Sequence, residues 1–321
     1  MINISITIGR LGYFGLAFES SPGVVNTTPT VYLPYMDMSL RGHHEAIEDI
    51  SSKASRLIDK DSVGGKRWSE GDVAINCDVV NSGYLWKLAL GNEMLETGTP
   101  NYHTFYATVS GNTPKTATVA LGRDTDNQQY TYITANELTL EVSDGLANLS
   151  ASLMGKFPTD IAAKTPTTTS GTIFAFKDMT VKFGADLTAA NGASATAIND
   201  FSLTIGNEVE VIHRSGSQDV SAIRTKGCKV SGSYTVFFDS VTDRDAYSAL
   251  NKRAMEITFT GNANESLRIR IPEFRLSEDE ISTGLDDFFV SSCSFVAEDD
   301  VDSGVRLIDV RLANDKGTVY A

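Results

Sequence analysis

Cysteine is scarce in this chain: three residues in 321, Cys77, Cys228 and Cys293. The number is odd and the spacing fits no zinc motif. Neither a disulfide framework nor a metal knuckle is expected, and the three read as small apolar residues in a reducing setting. Positive charge is also short, with 27 Lys and Arg against 41 Asp and Glu for a formal net charge of −14. A surface of that sign repels nucleic-acid phosphate, whose capture needs clustered Lys and Arg. No apolar run approaches the roughly 18 residues of a membrane span. The opening residues lack the basic region and apolar core of a signal peptide, so a soluble, non-secreted chain is expected. At 321 residues the length suggests about two domains and a core that needs no covalent staples.

Residues that carry chemistry are equally sparse. Of four histidines, His43 and His44 precede Glu45, but no second ligand cluster stands at a usable spacing, and an exposed loop is the simpler reading. His103 and His213 fall in alternating stretches and read as strand residues. Asp124, Asp126 and Asn127 resemble the start of a calcium loop, yet the Gly is missing and Ala135 stands where the closing Glu belongs. The acidic run Asp299, Asp300, Asp302, Ser303, Gly304 offers oxygens to a cation, although a solvated turn explains it as well. No Ser, Cys or Lys has a nucleophile's surroundings, and no Gly-rich stretch lies between a strand and a helix as a phosphate loop requires. No catalytic, cofactor-binding or metal-binding residue is assigned, and an enzyme is not expected.

What the sequence does contain is alternation and punctuation. Ile2, Ile4, Ile6 and Ile8 mark a first strand. Residues 10–29, rich in Gly and Pro, read as an irregular arm outside any packed core. Residues 45–59 are ambiguous, with Ile47, Ile50, Ala54, Leu57 and Ile58 at helical spacing. Val73, Ile75 and Cys77 alternate and run into Asn81-Ser82, a helix start. The helix, about residues 83–90, closes at Gly91. Strand-like runs follow at 103–109, 116–121 and 130–133. A hairpin follows at 138–153, turning at Ser143-Asp144-Gly145. Residues 158–171, rich in Thr, Ala and Pro, read as a linker. Beyond it lie a strand at 172–183, a mobile tip at 184–199 within a long 184–226 loop, and a hairpin of 201–205 with 209–213. Then come a strand at 231–239 and a helix at about 244–253. Strands at 257–259 and 267–271 precede a closing hairpin of 291–296 with 305–310.

A repeat runs through this order. Leu33, Pro34, Tyr35, Met36, Asp37, Met38, Ser39, Leu40, Arg41 returns as Phe174, Ala175, Phe176, Lys177, Asp178, Met179, Thr180, Val181, Lys182. Further on, Ala74 to Asp78 matches Thr235 to Asp239; each strand ends in Asp and leads to a helix. The helices align Tyr84, Leu85 and Leu88 with Ala246, Tyr247 and Leu250. The expected architecture is mainly β, one small domain written twice: an arm at 1–30, a first unit at 31–157, the linker, and a second unit at 172–321.

The arm Gly15-Leu16-Ala17-Phe18-Glu19-Ser20-Ser21-Pro22-Gly23, the strand-to-helix block at 71–91, and Asn136-Glu137-Leu138-Thr139-Leu140 resemble the tail tube proteins of long-tailed bacteriophages. The resemblance covers most of the chain. It implies two tandem tail-tube-like β-barrel or sandwich domains, each with one short helix. It further implies a structural virion protein that polymerises as stacked rings into the tube through which DNA is ejected. Members usually carry one tube domain and form six-membered rings, so a double-domain chain implies a trimeric, pseudo-hexameric ring. The partners implied are other copies of the chain, a tape measure protein, a tail terminator and distal tail proteins. DNA passes the lumen unbound, no membrane or cofactor is involved, and the location is the virion tail after assembly in the host cytoplasm. The arm and the 184–226 loop are expected to dock ring on ring, and removal of residues 1–27 to leave a folded protein. A tail fibre, baseplate hub or secretion tube, or a β-rich ligand-binding protein, are the other readings of the same pattern.

Overall fold

The computed structural model describes residues 9–49, 62–282, 288–300, 305 and 307–321. The first strands are β1 (Tyr13–Phe18), β2 (Val31–Leu33), β3 (Tyr35–Met38), β4 (Arg41–Glu48) and β5 (Ser62–Asn76). Helix α1 (Ser82–Leu90) leads to the hairpin β6 (Gly91–Glu96) and β7 (Asn101–Ala107). Then come β8 (Ala117–Arg123), β9 (Asp126–Val142), β10 (Asn148–Gly155) and the two-residue β11 (Thr159–Asp160). The chain continues through β12 (Met179–Gly184), α2 (Leu187–Gly192), β13 (Asp200–Gly206), β14 (Val209–His213) and β15 (Val220–Thr225). It ends with β16 (Lys229–Phe237), α3 (Thr242–Ser248), β17 (Arg253–Thr260), β18 (Ser266–Ser282), β19 (Val290–Ala297) and β20 (Asp309–Asn314). The chain is mainly β, and every pairing between these strands is antiparallel.

The strands follow the period-two pattern of their sequences. In β10, Leu149, Ala151 and Leu153 are buried while Ser150, Ser152 and Met154 are partly exposed. In β13, Phe201, Leu203 and Ile205 alternate in the same way. Such strands have one face for the core and one for water. Helix α1 is different, for all its residues except Lys87 are buried. The turn before it is held by Asp78, whose carboxylate accepts from the backbone N–H groups of Val80 (2.7 Å) and Asn81 (2.6 Å). Its end is Gly91, at φ +90°, whose N–H donates to Lys87. That conformation is open to glycine at little cost.

Two sets of strands share one neighbour order. In the first, β1 pairs with β8, β8 with β9, β9 with β10, β10 with β5, and β5 with β3 and β4. In the second, β12 pairs with β17, β17 with β18, β18 with β19, β19 with β16, and β16 with β13. The central strands β9 and β18 both have 17 residues, and each carries an extra residue at two matching places. Ala117↔Ile133 is followed by Val119↔Tyr130, as Arg253↔Phe274 is by Met255↔Ile271. Ser152↔Glu137 is followed by Leu153↔Ala135, as Ser294↔Glu278 is by Phe295↔Leu276. A bulge bends its strand and resets the faces beyond it, so the two sheets bend alike.

Several expectations need correction. Residues 10–29 are not simply an irregular arm. Tyr13 to Phe18 form a strand buried at every position, and Gly15 is there because Pro29 and Tyr32 press on its Cα. The two similar nonapeptides are not structural counterparts. Asp37 lies in β3, which pairs with β5, whereas Asp178 closes a 3-10 turn ahead of β12, which pairs with β17. By neighbour order the counterpart of β12 is β1. Residues 201–205 and 209–213 form no hairpin with each other: β13 pairs with β16 and β9, and β14 with β15. Nor do 291–296 and 305–310: β19 pairs with β16 and β18, and β20 with β18 and β7. The hairpin that matches β9–β10 is β18–β19. The segment 184–226 holds α2, β13, β14 and β15 instead of a loop. The second helix ends at Ser248, six residues after it begins, and Arg253 already starts β17. Residues 45–48 continue β4, while 50–61 lie outside the described residues, as do 1–8. The segment 158–171 is pinned to the first set through Thr159↔Gln129, the bridge Tyr32↔Thr168 and the Lys164 N–H to the Tyr13 hydroxyl at 3.0 Å.

Candidate assembly surfaces

The two sets meet along two strand pairs. On β9, below its second bulge, β13 docks from Phe201↔Val142 to Gly206↔Glu137. Phe201, Leu203 and Ile205 and, opposite them, Val142, Leu140 and Leu138 are all buried. The hydroxyls of Thr139 and Thr204 meet at 3.2 Å on the outer face. The Asn207 side chain closes this joint, donating to the carbonyls of Ala89 (2.8 Å) and Ala135 (3.0 Å). The other joint is β20 on β7, from Asp309↔Tyr106 to Asn314↔Asn101. Arg311 spans it, paired with Glu96 at 2.6 Å and stacked over Tyr102 at 3.9 Å.

Residues 314–321 then seal α1. Tyr320 is fully buried, edge-on to Tyr84 at 4.8 Å, His103 at 4.9 Å and Phe105 at 5.6 Å. Its N–H donates to Glu93 (3.0 Å) and its carbonyl accepts from Lys87. Glu93, whose side chain is 1% exposed, also holds Lys87 at 2.9 Å and His103 at 2.7 Å, and His103 reaches the Lys316 carbonyl with its other nitrogen at 2.8 Å. Burial drives the Glu93 carboxyl upward. The hydrogen bonds from His103 and Lys87, the Lys87 charge and the Tyr320 N–H outweigh it and hold the carboxyl below its ordinary value. A buried charge satisfied this fully is a structural device.

Several described strands pair with only one other strand, β6 and β12 among them; two further edges and one helix face bear on assembly. Strand β4 pairs only with β5, and the second half of β18, residues 278–282, pairs only with β19. Both edges are exposed for most of their length. Helix α3 buries only Ala246. Beside it Leu250 (65%), Phe237 (53%), Phe288 (79%) and Phe289 stand exposed, with the Phe237 and Phe288 rings edge-on at 5.9 Å. Exposed apolar groups this close together are the mark of a contact surface. A cleft of about 1090 Å³ lies between β6, β7 and β20. On its wall Arg270 pairs with Asp309 and Arg311 with Glu96, and Lys226 pairs with Glu210.

The polar residues singled out in the sequence are scattered. His43 stacks on Trp68 at 5.5 Å and lies 3.5 Å from Glu70, in strand β4 and not in a loop. His213 is in β14 and donates from Nδ1 to the Gln218 carbonyl at 3.2 Å. Asp124, Asp126 and Asn127 form the β8–β9 turn, where Asp126 pairs with Arg123 and Asn127 binds the Asp124 carbonyl. Asp299 and Asp300 follow β19, and 301–304 lie outside the described residues. Among the described residues no three His, Cys, Asp or Glu side chains gather to hold a metal ion. Burial pushes the Cys77 thiol well up and the Cys228 and Cys293 thiols up to about 11, so none is a thiolate at neutral pH. No described helix is long and apolar enough to cross a membrane. Sequence reasoning missed the edges themselves. Their signal was present as a charged, poorly alternating stretch, Arg41 to Glu48, beside well-alternating strands.

A family model described as phage tail tube protein matches residues 9–302. No curated protein matches the chain.

Proposed function

Because the chain belongs to the phage tail tube protein family, we propose that this structural tail protein polymerises as stacked rings into the tube that conducts DNA out of the particle. The observation that carries the finer reading is the pair of strand sets with one neighbour order and matching bulges, joined edge to edge within one chain. Each set is one tube unit, the first within residues 31–157 together with β1 and the second within 172–321. Six units around a ring then require three chains. The ring has true three-fold and approximate six-fold symmetry, since the junction within a chain differs from the junction between chains. Heterologous contacts of this kind close into a ring when the rotation closes. The tape measure, terminator and distal tail proteins are the partners at the bore and the two ends, and the protein resides in the virion tail after assembly in the host cytoplasm.

Negative-stain microscopy of the concentrated protein tests the reading. Rings or tubes with three-fold averages are expected. Six chains per ring, each with both units in the wall, would refute the trimer, and a protein that stays monomeric at all concentrations would refute polymerisation.

A further inference from the structure

The unpaired edges of β4 and of residues 278–282 are counterparts of the two strands already joined inside the chain. Ser231 of β16 lies opposite Val296, as Glu70 of β5 lies opposite Met154. Thr204 pairs with Ser231 and Arg41 with Glu70, so Arg41 stands where Thr204 does. Likewise Thr139 lies opposite Ser150 on β10 and Glu280 opposite Ser292 on β19, so Glu280 stands where Thr139 does. Inside the chain Thr204 and Thr139 face each other. Resting on the ring reading above, we propose that β4 of one copy docks antiparallel on residues 278–281 of β18 of the next, with Arg41 opposite Glu280 and His43 opposite Glu278.

The backbone is ready for this pairing. The Ser39 N–H donates inward to Asp72 at 2.9 Å, so Ser39, Arg41 and His43 point their amides at β5, and Gly42 and His44 point theirs at the open edge. The outward carbonyl of Leu40 is taken by Arg123 and by the Tyr130 hydroxyl at 3.3 Å, which starts the new ladder at Gly42. The chemistry of the two junctions differs. The inner one carries Thr204 on Thr139 and Ile205 on Leu138. The outer one carries a cation on Glu280, and Gly42 on Asp279. Opposite charges directly across a ladder stabilise it, and like charges oppose it. The junction between chains is therefore ionic where the junction within the chain is not. Assembly should weaken with salt, because screening acts on exposed pairs.

Charge exchange in the full-length chain tests the assignment. Glu280→Arg and Arg41→Glu each place like charges across the junction and are expected to lower ring formation by roughly tenfold. Glu280 lies opposite Ser292, so the thermal midpoint of unassembled Glu280→Arg is expected unchanged, whereas Arg41→Glu also faces Glu70 within its own chain and lowers that midpoint slightly. The double variant Arg41→Glu/Glu280→Arg is expected to restore ring formation. A second arm is independent of charge. Arg41→Cys combined with Glu280→Cys, oxidised in assembled rings, should give disulfide-linked chains up to a closed trimer. Parent rings with no rescue in the double variant and no cross-link would overturn the junction and leave the ring reading standing. A parent that forms no rings would overturn both.

Discussion

Gly83 shows how far one residue's role depends on its neighbour. In a helix interior Ala is favoured over Gly by about 1 kcal/mol. At Gly83, however, the added methyl would collide with the Tyr320 ring, which Tyr84 and Phe105 hold from other sides. Gly83→Ala should therefore destabilise, by about 1–3 kcal/mol as overpacking does, and urea unfolding would read the sign directly. Glu93 gives a second test. Removing one member of a buried charged group leaves the others unpaired, so Glu93→Ala should cost about 3–5 kcal/mol. Because its carboxyl is held below the ordinary value of 4.5, its contribution is complete above the unfolded value and is lost as pH falls through the lower folded one. Thermal melts of the parent between pH 6 and 3 should fall more steeply than those of Glu93→Ala.

At the scale of elements, β1 decides between an arm and a core strand. Phe14 and Leu16 are fully buried, and β1 bridges β2 and β8. Phe14→Ala should cost about 3–5 kcal/mol. Removal of residues 1–27 should unfold the first set, visible as loss of the cooperative transition by circular dichroism. This replaces the expectation of a folded truncation. The contrast also marks what the sequence made legible. Strands with clean alternation, such as Val73, Ile75, Cys77 and the β9–β10 hairpin, could be placed from their pattern, as could α1 with its closing Gly91. Local pattern could not choose partners, because an antiparallel edge accepts any strand of suitable shape. Pattern alone thus pairs β13 with its sequence neighbour, whereas in the fold it lies on β9 and β16. β1 was hidden for another reason: its glycine answers a side chain from another strand and not a turn. The edges Arg41–Glu48 and 278–282 could not be recognised as surfaces until the neighbours of every other strand were known.

For the whole molecule, charge is the property that bears on cargo. With a net charge of −14, an acidic bore is expected. Basic contacts would add salt-dependent affinity for DNA and slow its passage. Replacing several bore-facing Asp or Glu by Lys should leave tubes intact while slowing genome ejection, measured as DNA release over time. A bore mapped as net basic in an assembled tube would count against this.

The seal made by Tyr320 has a consequence for synthesis at the ribosome. Lys87 and the residue whose carbonyl it holds are 233 positions apart. At about 5–20 residues per second, α1 emerges ten seconds or more before the segment that covers it. During that interval its surface against Tyr84 and Phe105 is open, and a nascent chain is an unfinished building block however well its early strands have paired. Chains broken off before residue 316 should accordingly be recognised by proteases and chaperones and be absent from purified tubes. The measurement is a pulse-labelled truncation at residue 315, followed by its lifetime in the cell and its incorporation beside the intact chain.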